Sequence, residues 1–204
     1  MLNEKLIEIQ SEARLHDFRE LKKLMKGKYW NLVAGGKLPR AEAFKQTFEE
    51  LGIIDEDFIQ EFCQVLDHEG KAVLPEMRNL LAELSKRKGV NLAVLSNHSS
   101  EALSWLKDLN IVPSFIDPEK VLLASNIGCK KPELKSFEIL LDTLGASVNA
   151  RDVFFVDNRS ENIFAAQEFG MRTHNYVYDC NAAEDNSISI LREEIEAWLS
   201  DYRN

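Results

Sequence analysis

Residues 152–170, DVFFVDNRSENIFAAQEFG, constrain this chain more than any other stretch. Val153, Phe154, Phe155 and Val156 form a short apolar run rich in aromatic and β-branched residues, which reads as a buried strand. Asp157 and Asn158 follow at once. From Ser160 and Glu161 an apolar-periodic run, Ile163, Ala166 and Phe169, then closes at Gly170 as a helix does. A strand that delivers a carboxylate from its C-terminal end just ahead of a helix puts that acid where open α/β sheets keep their sites. Taken alone, the same stretch is equally an ordinary strand-to-helix loop with the aspartate as helix cap.

The order of elements around it narrows the choice. Pro75 and Glu76 open a helix whose apolar face is Met77, Leu80, Leu81 and Leu84 and whose end is Lys86, Arg87, Lys88 and Gly89. A strand at 91–95 ends in Ser96, Asn97 and His98, and a helix is expected over 100–109. A strand at 121–123 precedes the basic, turn-like Gly128-Cys129-Lys130-Lys131-Pro132, and a helix follows at 133–144. After 152–170 come a strand at 173–178 and a polar stretch from Asp185. A last helix follows through Ile188, Leu191, Ile195 and Leu199. Such alternation calls for an α/β fold, a parallel sheet with helices on both faces. Residues 1–74 read as helical only, with Leu2, Leu6, Ile9, Ala13, Phe18, Leu21 and Leu24 at helical spacing and further segments at 41–51 and 56–66. Gly35, Gly36 and Pro39 break that pattern. The expected organisation is a helical cap-like region at 1–74 and an α/β core at 75–204.

Charge and cysteine usage exclude several partners. The 34 acidic against 25 basic residues give a net charge of −9, which argues against nucleic acid or an acidic membrane as partner. A small phosphorylated molecule remains compatible, because a few local bases suffice to hold it. Cys63, Cys129 and Cys180 are odd in number and widely spaced, as expected of reduced thiols in a cytoplasmic protein. The charged N-terminus has no apolar stretch of signal-peptide type. Trp30, Trp105 and Trp198 read as packing residues and His98 as a loop histidine.

Parallel strands bring Ser96, Asp157 and the loop holding Lys130 and Lys131 to one edge of the sheet. Each group has a role around a phosphoryl group. Ser96 and the amides of Asn97 and His98 can donate to phosphate oxygens at a helix start. A lysine supplies compact positive charge, and a carboxylate can hold magnesium. Singly, each has a plainer explanation: Ser96 as a helix cap, the lysines as a solvated pair.

Three segments, VLSNHS at 94–99, GCKKPELKSFEILLDTLG at 128–145 and VFFVDNRSENIFAAQEFGM at 153–171, resemble motifs II, III and IV of the haloacid dehalogenase (HAD) superfamily. The likeness is to its sugar-phosphatase and epoxide-hydrolase N-terminal-domain-like branch, and AGGKLPRAEAF at 34–44 is similar to that branch's helical cap. The resemblance implies a Rossmann-like core that hydrolyses phosphate monoesters with magnesium. By the same resemblance Ser96 and Asn97 bind phosphate, Lys131 is the motif III lysine, Asp157 is the first acid of motif IV, and Asp157 and Asn158 stand at the metal.

Two departures qualify this expectation. Motif I, an apolar strand ending in Asp-x-Asp or Asp-x-Gly, has no counterpart in residues 1–30. Where the branch has two consecutive acids this chain has Asp157-Asn158, a neutral and weaker ligand, and Asn162 stands where other branches place an aspartate. The first core strand is thus missing from the pattern. Three readings follow: a truncated or mis-started chain, a protein that fills the gap otherwise, or a homodimer that shares strands. Without an attacking aspartate the covalent route is closed. The expectation is a phosphohydrolase-related protein impaired or inactive in this form, a pseudoenzyme. A non-catalytic HAD-like binding or regulatory module is the alternative.

Overall fold

The computed structural model describes residues 23–54, 56, 57, 59, 60, 74–100, 103, 107, 112–177 and 187–201. The helical pattern expected at 2–18, most of the helices expected at 56–66 and 100–109, and Cys63, Cys180 and Trp105 lie outside them. The chain divides into two compact units. One takes in Met1–Val73, Asn97–Val112 and Leu123–Gly128, and the other Leu74–Ser96, Pro113–Leu122 and Cys129–Asn204.

In the first unit a π-helical turn, Met25–Tyr29, runs into α1, Trp30–Ala34, and a break leads to α2, Arg40–Glu50. Ala43, Phe44, Thr47 and Phe48 of α2 form one buried stripe facing Met25, Tyr29 and Val33, the spacing a helix needs to bury one side. Thr47 sits in that apolar stripe because its hydroxyl donates to the Ala43 carbonyl at 2.7 Å. Gly36 has φ +69°, and a Cβ on it would meet the Ser125 side chain at 2.7 Å. Conformation and space both require glycine there. Ser125 lies in the short helix α3, Ala124–Ile127. Trp30 meets the His98 ring edge-on at 6.0 Å, so both act as packing residues within this unit.

The second unit is α/β. It contains α4, Pro75–Ser85; β1, Val94–Ser96, paired with β2, Val121–Leu123; and α5, Leu134–Leu144. Then come β3, Phe154–Asp157; α6, Ser160–Glu168; β4, Arg172–Asn175; and α7, Ser187–Asp201. β3 and β4 are parallel, in the register Phe154↔Arg172 to Asp157↔Asn175. Among the described residues β1–β2 and β3–β4 are separate two-stranded sheets. Strand positions differ from the sequence reading by one to three residues. The first strand starts at Val94 instead of 91, β3 extends through Asp157, and β4 spans Arg172–Asn175 instead of 173–178. Apolar pattern marks where a strand is buried, whereas its ends are set by ladder hydrogen bonds, such as Arg172 N–H to the Val153 carbonyl and Tyr176 N–H to the Asp157 carbonyl, both 3.0 Å.

Side-chain alternation along β3 explains the two helical layers. Phe154 and Val156 pack on the cluster of Leu80, Leu84, Tyr176, Leu191 and Ile195, supplied largely by α4 and α7. Arg87 donates to Glu196 at 2.7 Å and Arg192 pairs with Glu83, joining those two helices at their margins. Phe155 points the other way, where Phe137 of α5 meets it edge-on at 5.5 Å and Phe169 lies 5.8 Å from Phe137. Helices therefore cover both faces of the strand that ends in Asp157. Phe137 is fully buried. Phe137→Ala should lower unfolding free energy by about 3–5 kcal/mol, measured by urea denaturation, and a loss under ~1 kcal/mol would mean this layer is loosely packed.

Candidate functional site

Asp157 closes β3, and the turn that follows is built on its side chain. One carboxylate oxygen, Oδ1, accepts the Arg159 backbone N–H at 2.8 Å, an Asx-type turn that reverses the chain just before α6. The same oxygen accepts from Nδ2 of Asn162 in the first turn of α6 at 3.1 Å. The other oxygen, Oδ2, accepts from Lys131 Nζ at 2.6 Å. Aspartate here is therefore more than a helix cap: it binds its own turn, the next helix and a lysine from another loop.

The pair is nearly sealed from water. Side-chain exposure is 10% for Lys131 and 6% for Asp157. Lys131 Nζ lies 5.4 Å from the centre of the Phe155 ring, so the aromatic face that fills the core also supports the ammonium. Burial pushes the Asp157 carboxyl up. The hydrogen bond and charge of Lys131, with the Arg159 N–H and the Asn162 amide, outweigh that and hold it below the ordinary carboxylate range.

Of the residues expected at the site, the structure joins Lys131 and Asp157 directly. Ser96 is the last residue of β1 and half-buried, and Asn97 follows it, also half-buried. Asn158 is exposed and takes no part in the hydrogen bonds of Asp157. Sequence reasoning noticed the position of Asn162 but assigned it no role. Its signal was available: Asn162 lies four residues before Ala166, on the face that carries the buried stripe, where a polar residue needs a polar partner. It is 2% exposed, and its Oδ1 has no hydrogen-bond partner among the described residues.

The sequence pattern of the haloacid dehalogenase-like hydrolases matches residues 17–175, which include all these groups, and the chain belongs to that family. The sesquiterpene phosphatase astK of Aspergillus oryzae is 24% identical over 155 residues, 75% of this chain and 74% of its own. A HAD family enzyme of Bacteroides thetaiotaomicron superposes with a TM-score of 0.65 at 20% identity, over 90% of this chain and 88% of that one. It has also been seen in complex with magnesium and inorganic phosphate. The L-2-haloacid dehalogenase of Xanthobacter autotrophicus gives a TM-score of 0.56 at 22% identity, over 81% and 70% of the two chains. Among the described residues no helix is long and apolar enough to cross a membrane.

The magnesium of such relatives is a test for the donors present here. Magnesium prefers oxygen ligands and strict octahedral geometry. Both Asp157 oxygens already accept N–H donors, three in all. The amide of Asn162 turns its nitrogen to Asp157 and hence its oxygen away. Asn158 adds only a neutral, exposed amide, and no group of three or more His, Cys, Asp or Glu is gathered among the described residues. Asp157 and Asn158 in this arrangement do not fit a magnesium ion.

Because Asp157 titrates lower in the folded chain than its unfolded value of about 3.9, it adds stability above that pH. The contribution disappears as pH falls through the lower folded value. In Lys131→Met the largest opposing influence on burial is gone, so the carboxyl should titrate higher and acid destabilisation should begin at higher pH. Urea unfolding at a series of pH values, with a carbon-13 titration of Asp157, reads both shifts. An unchanged Asp157 titration would show that Lys131 does not control it.

Proposed function

We propose that the end of β3 is part of a phosphate-ester site of HAD type, and that this chain is a phosphohydrolase-related protein whose hydrolytic step is impaired in this form. Ser96 holds phosphoryl oxygens, Lys131 supplies the positive charge, and Asp157 fixes and partly neutralises Lys131. The observation that carries the reading is the buried Lys131–Asp157 bond, 2.6 Å long. An ammonium held by a carboxylate at a strand end is pre-positioned for an incoming anion and needs little reorganisation to meet it. The substrate class is a small phosphorylated molecule. The phosphatase relative of Aspergillus oryzae supports phosphate chemistry, and phosphorylated terpenoids belong among the compounds to assay.

Hydrolysis through a phospho-enzyme needs a carboxylate able to attack phosphorus. Asp157 is not that group, since its oxygens are committed to Lys131, Arg159 and Asn162, and the three motif segments contain no other acid aligned with the nucleophile. Magnesium is supported by the resemblance and by the complex of the Bacteroides enzyme, and opposed by the donors of this chain. The second reading, a non-catalytic binding or regulatory module, is favoured by Asn158 in place of an acid.

An assay with p-nitrophenyl phosphate and magnesium separates these readings. The 204-residue chain should show no turnover above that of Asp157→Ala, while inorganic phosphate still binds. Ser96→Ala should weaken that binding about fivefold, the effect of one hydrogen bond. Turnover that Asp157→Ala abolishes would overturn the impairment and the module reading together. Absence of phosphate binding would overturn the phosphate site itself.

A further inference from the structure

A phosphoryl group brings two negative charges into a nearly dry site, and some cation has to meet them. In this chain the position beside the strand end is already occupied by a cation, the ammonium of Lys131. It is held at 2.6 Å by Asp157 and lies 5.4 Å from the centre of the Phe155 ring. The carboxylate that would otherwise recruit a metal is engaged by Lys131, by the Arg159 N–H at 2.8 Å and by the Asn162 amide at 3.1 Å. The lone pair that these donors leave on Asp157 belongs to the oxygen that accepts from Lys131, so a divalent ion drawn onto it would lie against the ammonium. The adjoining side chain that could add a second oxygen, Asn158, is uncharged and turned to solvent. Asn162 holds Asp157 through nitrogen, and replacing its amide by a carboxylate would set two like charges together.

We infer that this site binds a phosphoryl group without a divalent metal, with Lys131 as its built-in cation and Asn162 as the residue that keeps Asp157 turned toward Lys131. The inference rests on the phosphate-site reading and gives it a specific chemistry: the ligand is a free phosphomonoester dianion, not a magnesium–phosphate complex.

The experiment titrates inorganic phosphate into the full chain by calorimetry, once with EDTA and once with millimolar magnesium. Magnesium alone is titrated in parallel. The expected result is phosphate affinity equal in the two buffers to within about twofold, no heat from magnesium alone, and a loss of about tenfold or more in Lys131→Met, the equivalent of one charged hydrogen bond. Phosphate binding seen only with magnesium overturns the metal-free site while upholding the phosphate reading. Phosphate binding in neither buffer overturns both. Magnesium binding to the unchanged chain, or an unaltered affinity in folded Lys131→Met, also overturns the proposal.

Discussion

Two opposite charges lie at the C-terminal end of β3 with side-chain exposures of 10% and 6%, and most of what is distinctive in the second unit serves to make that possible. Removing two ions from water is costly, and their attraction repays the cost only where geometry is good and the remaining lone pairs are satisfied. Asp157 meets that condition with donors from three places: a side chain from the loop before α5, a backbone N–H of its own turn, and an amide from α6. Each depends on packing elsewhere. Phe155 anchors β3 against Phe137, and the same ring supports the Lys131 ammonium. The buried stripe of α6, Ile163 and Ala166, sets the rotation of the helix that turns Asn162 inward.

Chemistry and packing thus share β3 by alternation. Phe154 and Val156 serve the layer of α4 and α7, Phe155 serves the layer of α5 and α6, and Asp157, the next in the alternation after Phe155, falls on the side of Phe155 and Lys131. A one-residue slip of this strand would carry the carboxylate away from its lysine and bury the wrong set of side chains. Register therefore protects the site and the core at once. The parallel ladder with β4, from Phe154↔Arg172 to Asp157↔Asn175, holds it.

How far the sequence could be read follows from which forces leave a local trace. Apolar runs mark buried strands, and β2 and β3 fall where such runs predict, β3 shifted by one residue to end on Asp157. Helix α5 begins one residue later than expected, at Leu134. The strand ending at Ser96 starts later than its apolar run, because Leu92 and Ala93 satisfy the hydrophobic pattern without joining the ladder. Ser96, Lys131 and Asp157 were legible as candidates because a parallel sheet is expected to bring the loops after its strands to one edge. That Lys131 and Asp157 bond to each other, and that Asn162 joins them, was not legible. Their spacings of 26 and 5 residues carry no period, and only the folded helix phase decides which side chain points inward.

The uncharged amide of Asn158 and the donors gathered on Asp157 act in the same direction, although one lies at the surface and the other is a buried network. Three donors leave Asp157 about one lone-pair position, on the oxygen that also accepts from Lys131, so a cation drawn there would meet the ammonium. With Lys131 in place the charge of Asp157 at the strand end is already balanced. Cleavage of a phosphate ester through a covalent intermediate requires an attacking carboxylate, and Asp157, bound to Lys131, Arg159 and Asn162, is not disposed for that role.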